Sequence, residues 1–134
     1  GRGPDGMQVW RFEGANWYPI AESGPFADAS GWGDRPEYYA TIQSADIDGD
    51  GVDELLGRGP DGMQVWRFEG ANWYLIAKSG PFADAAGWGG HPEYYATIHC
   101  ADIDGDGVDE LLGRGSMGME VYRYGWVPVM TGNW

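Results

Sequence analysis

Apolar and polar positions alternate with a period of two along most of the chain. "MQVWRF" at 7–12 and 63–68 sets Met and Val against Trp and Phe, with polar Gln and Arg between, and "MEVYRY" at 119–124 repeats the arrangement. Such alternation predicts half-buried β-strands. "NWYPIAES" and "NWYLIAKS" are aromatic and rich in strand formers. "EYYATIQSADI" and "EYYATIHCADI" predict a longer strand, and "ELLGRG" a short one. "PDG" and "EGAN" between these runs carry turn chemistry. No window of about eleven residues or more follows the 3.6-residue helical period convincingly.

The pattern recurs because the sequence recurs. Residues 1–56 and 57–112 differ at seven positions, so 49 of 56 match. The differences are Pro19/Leu75, Glu22/Lys78, Ser30/Ala86, Asp34/Gly90, Arg35/His91, Gln43/His99 and Ser44/Cys100. A third, more divergent and shortened copy spans 113–134. A period of this size signals a propeller or a solenoid. The fold class expected is all-β: β-propeller blades of four antiparallel strands, here called A to D. The order is A ("EYYATI…ADI"), B ("ELLGRG"), C ("MQVWRF") and D ("NWYxIA"). Residues 1–134 then form a single, partial propeller domain of eleven strands, about three blades with the first lacking strand A. Closed propellers typically need four to eight blades, and exposed edges promote association. The ring is therefore expected to be completed by a longer parent chain or by oligomerisation. Two chains giving six blades is the simplest homo-oligomer.

Composition narrows the partners. Formal charge is −13 at pH 7, which disfavours nucleic acid and anionic membranes. No segment approaches the roughly 18–20 apolar residues needed to span a bilayer, and no signal peptide is visible. Cys100 is the only cysteine, so no intrachain disulfide forms. Twenty-four Gly and eight Pro fit short strands joined by many turns.

The charge is concentrated in "ADIDGDGVDELLGRG", at 45–59 and again at 101–115. Asp46, Asp48 and Asp50 take loop positions 1, 3 and 5, and Glu54 takes position 9. Asp102, Asp104, Asp106 and Glu110 repeat the spacing. Alternate side chains of a tight loop converge on one point, as a hard cation with six to eight oxygen ligands requires. The carbonyls of Val52 and Val108, at position 7, would add an oxygen each. A bidentate Glu at position 12 is missing and the flanks read as strands, so the pattern predicts calcium outside an EF-hand. The alternatives are a solvated acidic turn or magnesium.

The D-x-D-x-D-G-x-x-(D/E) loop followed by "LLGRG" resembles the FG-GAP or VCBS repeat of integrin α-chain propellers and many secreted bacterial proteins. That resemblance covers essentially the whole chain. It implies that the loop joins the first two strands of a blade and binds calcium. Together with the abundance of calcium outside cells, it implies a secreted, extracellular protein. "GPFADASGWGDRPEYYATIQSADIDGDGVDELLGRGPDGMQVWRF" is similar, more narrowly, to the fungal Psathyrella velutina-type propeller lectins and their bacterial relatives. That similarity implies a calcium-stabilised lectin whose pockets, between neighbouring blades, take N-acetylglucosamine-type glycans.

Sugar sites pair an aromatic face with a few planar polar groups. The segment 24–39 offers Asp28, Trp32, Arg35, Tyr38 and Tyr39. The segment 80–95 offers Asp84, Trp88, His91, Tyr94 and Tyr95. These are the candidate sugar-binding residues, although their aromatic rings could equally fill the space between blades. Arg58, with its counterparts Arg2 and Arg114, reads either as a buried partner for an Asp or as a donor to a ligand. No phosphate loop, nucleophile elbow or transition-metal spacing is present, so no enzyme is expected. Three functions stay open: a multivalent carbohydrate-binding propeller, a calcium-stabilised adhesion module, and an accessory module of a secreted enzyme.

Overall fold

The computed structural model describes residues 1–131; the tail of the third repeat, 132–134, lies outside the described residues. The first, incomplete blade holds β1 (Arg2–Gly3), β2 (Gly6–Met7), β3 (Val9–Glu13) and β4 (Asn16–Ala21). The second blade holds β5 (Gln43–Ala45), β6 (Glu54–Gly59), β7 (Gly62–Glu69) and β8 (Asn72–Ala77), and so spans the boundary of the first two repeats. The third blade holds β9 (His99–Ala101), β10 (Glu110–Gly115), β11 (Gly118–Arg123) and β12 (Val127–Thr131). Strands β5 to β8 pair antiparallel in sequence order, as do β9 to β12. These are two four-stranded blades, and the described residues close no ring. No described helix is long and apolar enough to cross a membrane.

Strand C of the first repeat is split in two around Gln8, so twelve segments stand where eleven strands were expected. In the second blade Leu55 and Leu56 pair with Trp66 and Val65 and hold β7 along its length. In the first repeat the β1–β2 ladder holds only Arg2 opposite Met7 and Gly3 opposite Gly6. Each C–D pair shifts register at the same place: Val9/Trp10, Val65/Trp66 and Val121/Tyr122. A bulge there increases the local twist of the outer strands.

The expected long strand A is corrected. Its "PEYY" portion forms one-turn helices, α1 (Pro36–Tyr39) and α2 (Pro92–Tyr95), and only Gln43–Ala45 and His99–Ala101 pair as strand. Two local causes outweigh the β-rich composition. Proline is pre-set for the first helical position and keeps the preceding Arg35 or His91 out of helical backbone. Thr41 then donates its hydroxyl to the Tyr38 carbonyl at 2.6 Å and accepts the Arg58 amide at 2.7 Å. Thr97 does the same with Tyr94 and Arg114. One side chain thus ends the helical turn and fastens it to strand B.

Both apolar cores lie between blades. One joins Phe26, Trp32 and Tyr38 of the first interblade link (24–39; the second is 80–95) to Leu55, with Met7, Ile42, Trp66 and Trp73 packed around them. The other joins Leu56, Met63 and Val65 of the second blade to Phe82, Trp88, Ile98 and Leu111. The link segment is therefore the filling between one blade and the next. It is anchored at the "PDG" turn. The Met63 amide donates to Pro81 O, Gly80 to Asp61 O and Asp84 to Pro60 O, at 3.0, 3.2 and 2.9 Å. The first repeat makes the same three bonds. Gly62 sits at φ +100°, and a Cβ there would lie 1.9 Å from the Gly80 oxygen, so the turn admits glycine alone. Phe26 and Phe82 adopt φ of 70° and 73°, a left-handed backbone that side chains disfavour. Burial of both rings, each 3% exposed, opposes that strain.

Candidate cation loops and an interblade seam

The acidic loops lie between strands A and B, and their hydrogen bonds match position by position. Asp46 Oδ1 accepts the amides of Gly49 and Asp50, and Oδ2 accepts that of Gly51. Asp102 accepts Gly105, Asp106 and Gly107 in the same way. Asp50 and Asp106 accept the amides of Val52 and Val108, which fixes the peptides on the N-terminal side of the position-7 residues. These bonds wrap the backbone around the first aspartate and turn the other carboxylates toward a common centre.

Oxygens of Asp102, Asp104, Asp106 and Glu110 lie within 4.8 Å of one another, and so do those of Asp46, Asp48 and Asp50. Opposite ligands of a calcium ion, each bound at 2.3–2.6 Å, lie no more than about 5 Å apart, so the Asp102 to Glu110 set fits, while Glu54 stands outside the first set. Glu54 and Glu110 are each 1% exposed. Oε1 of each accepts one amide, from Ile47 and Ile103, while Oε2 is buried without a partner. Burial pushes the Glu54 carboxyl up to about 7, and the charges of Asp48, Asp50 and Asp46 add to the rise. Burial, with Asp104 next, raises Glu110 as well. Among the described residues the cations paired with these loops are Arg67 on Asp48 at 3.2 Å and Arg123 on Asp104 at 3.8 Å. A buried carboxylate with an idle oxygen beside three more carboxylates is the donor set a hard cation satisfies.

The loops also touch each other. The Asp46 amide donates to Asp109 Oδ2 at 3.0 Å, and the Asp109 amide donates to the Asp46 carbonyl at 2.8 Å. Asp109 was not among the sequence candidates. It sits at loop position 8 in both repeats, and nothing in the sequence separates it from its equivalent Asp53.

The sugar candidates fall into covered and open groups. Trp32 and Trp88 are 3% and 5% exposed, with centroids 4.2 Å from Phe26 and Phe82 respectively, so neither indole has an open face. Tyr38 is buried, and Tyr94 and Tyr95 are half-buried. The open groups are Tyr39, Arg35, His91 and, in part, Asp28 and Asp84.

Arg58 binds the two links together. Its guanidinium is fully buried and donates through Nη1 to Asp84 Oδ1 at 2.7 Å and to the Phe82 carbonyl at 2.9 Å. Tyr38 donates its hydroxyl to Asp84 Oδ2 at 2.7 Å, and its ring lies under the Arg58 guanidinium. Asp84 of the second link is thus gripped by Tyr38 of the first. Its side chain keeps 38% of its surface open. The equivalent Arg2 grips Asp28 at 2.7 Å, but that carboxylate is 51% exposed and no tyrosine holds it. Arg114 lies over Tyr94, and among the described residues no carboxylate accepts from it.

Burial pushes the Asp84 carboxyl up, but the hydrogen bonds from Tyr38 and Arg58 and the Arg58 and Arg35 charges outweigh it, leaving the group below its ordinary value. A lowered folded value means stability present above the unfolded pKa, near 4, and lost as pH falls through the folded one. The stability gap between the parent and Asp84→Asn, measured by urea unfolding, should be widest at neutral pH and close below about pH 4. A gap independent of pH would mean that the Asp84 charge does not hold the seam.

Residues 46–113 match the FG-GAP-like repeat, from the first acidic loop through the second link into strand B of the third repeat. No curated protein matches the chain. The match covers half of the sequence and includes both acidic loops, and the chain belongs to the FG-GAP-like repeat family.

Proposed function

We propose that this chain is a multivalent carbohydrate-binding module whose sugar sites lie in the seams between successive blades and whose acidic loops hold calcium. The observation that carries the reading is Asp84. A carboxylate fixed by Arg58 and Tyr38, yet more than one-third open, presents unused lone pairs at the junction of two links. Paired acceptors of fixed direction suit adjacent sugar hydroxyls, and prior fixing removes part of the ordering cost of binding. Arg35, whose charge acts on Asp84, supplies a planar donor from the neighbouring link. Trp32 and Trp88 act as pillars beneath the site. The resemblance to propeller lectins suggests N-acetylglucosamine-type glycans, and weak repeated sites gain strength when presented together. The reading involves no catalytic step and places the protein outside the cell.

Glycan binding by calorimetry or array tests the seam. Asp84→Asn should weaken binding about 10- to 100-fold, the worth of hydrogen bonds to a charged group, while the variant stays folded by circular dichroism. Unchanged affinity would remove the seam from the sugar site.

Calcium has its own measurement. At a hundredfold excess over Kd, one ion bound only to the folded state adds roughly 2.7 kcal/mol. The melting temperature should rise with calcium and fall with chelator, and Glu54→Gln with Glu110→Gln should shrink the difference. Equal melting in calcium and in chelator would reject the metal.

Self-association, with two chains completing six blades, is favoured by the first hairpin. Trp17 on β4 is 64% exposed, whereas its equivalent Trp73 is half-buried and packs against Gly24. Light scattering should give twice the chain mass, and a monomer at micromolar concentration would reject the ring of two.

A further inference from the structure

We propose that the two acidic loops bind their cations cooperatively, with Asp109 as the positioning residue that couples them. The inference rests on the reading of these loops as calcium sites and adds a relation between them. Asp109 engages both backbone polar groups of Asp46, accepting its N–H and donating to its carbonyl. Asp46 is position 1 of the first loop, and its side chain gathers the amides of Gly49, Asp50 and Gly51. Asp109 lies between Val108 and Glu110, positions 7 and 9 of the second loop. Val108 also reaches the first loop, its Cγ2 standing 2.6 Å from where a Cβ on Gly49 would lie. An ion in the 102–110 loop fixes Val108 and Glu110 and so fixes Asp109 between them. Asp109 then holds the Asp46 backbone in the conformation that wraps the first loop. The ordering needed by the second ion is already in place, which is positive coupling without any large movement.

Repulsion between the ions opposes this coupling, and solvent at the exposed loops screens it. Asp53 is an internal control. It occupies the same position in the first loop, is exposed, and makes no hydrogen bond within the described structure.

The experiment is calorimetric titration of the full chain with calcium, starting from chelator-treated protein. The parent should take up two ions, the second bound at least about 5-fold more tightly than the first. Asp109→Ala removes the side-chain acceptor, leaves the backbone bond, and should cut the coupling to less than half of its logarithm in the parent. Asp109→Asn keeps a side-chain oxygen and should restore coupling, and Asp53→Ala should leave it intact. Should Asp109→Ala fail to fold, Asp102→Asn with Glu110→Gln disables the second loop instead. By reciprocity, the first loop's affinity should then fall by the same factor. Independent sites in the parent, more than half of the coupling retained in Asp109→Ala, or equal loss in Asp53→Ala each overturn the proposal. Absence of any calcium heat overturns the calcium reading itself, an outcome distinct from two independent sites.

Discussion

A four-stranded sheet presents two apolar faces to water and covers neither by itself. Everything else in this structure follows from how those faces are closed. The Gly-Pro-Phe link leaves strand D of one blade and crosses its B–C turn. It then lays Phe82 and Trp88 between Met63 and Val65 on one side and Leu111 on the other. Each joint therefore has an apolar filling. The filling fits because Gly57 and Gly113 leave room for the Phe26 and Phe82 rings, whose Cζ atoms would stand 2.9 Å from an added Cβ. A single methyl group at either glycine would press on a ring already held in a left-handed backbone.

Polar contacts finish what the apolar filling begins, and the two joints differ in how completely. Arg58 is wholly buried and reaches Asp84 together with Tyr38 from the preceding link. Arg2, with 20% of its side chain exposed, reaches Asp28 alone. The same pair of residue types thus serves as a partly desolvated clamp at one joint and as a more ordinary surface ion pair at the other. Pairs of the second kind contribute little to stability. Context, not residue type, sets the value of the interaction.

Strands B, C and D were legible in the sequence because their alternation is regular and their turns carry Pro, Asp and Gly. The acidic loops were legible because positions 1, 3, 5 and 9 repeat, and the structure brings the second set of carboxylates together. Strand A was not. Its Tyr-Tyr-Ala-Thr-Ile composition favours strand, and only Pro36 and the Thr41 hydroxyl, acting across space on strand B, turn half of it into a helical loop. Trp32 and Trp88 were ambiguous for a related reason. An aromatic ring in a Gly- and Pro-rich segment can face solvent or a neighbouring blade, and local sequence does not record which blade will be beside it. Asp109 was invisible because its role depends on the loop of the preceding repeat.

The link bonds to its own blade's B–C turn and then packs on the blade that follows. One 56-residue period therefore contains both the module and the connector that seats the next module. Copying the period in the gene copies a finished joint along with the blade, with no compensating change needed elsewhere. Lengthening by tandem repetition is mechanically simple for such a chain, and the first two repeats keep 49 of 56 positions in common.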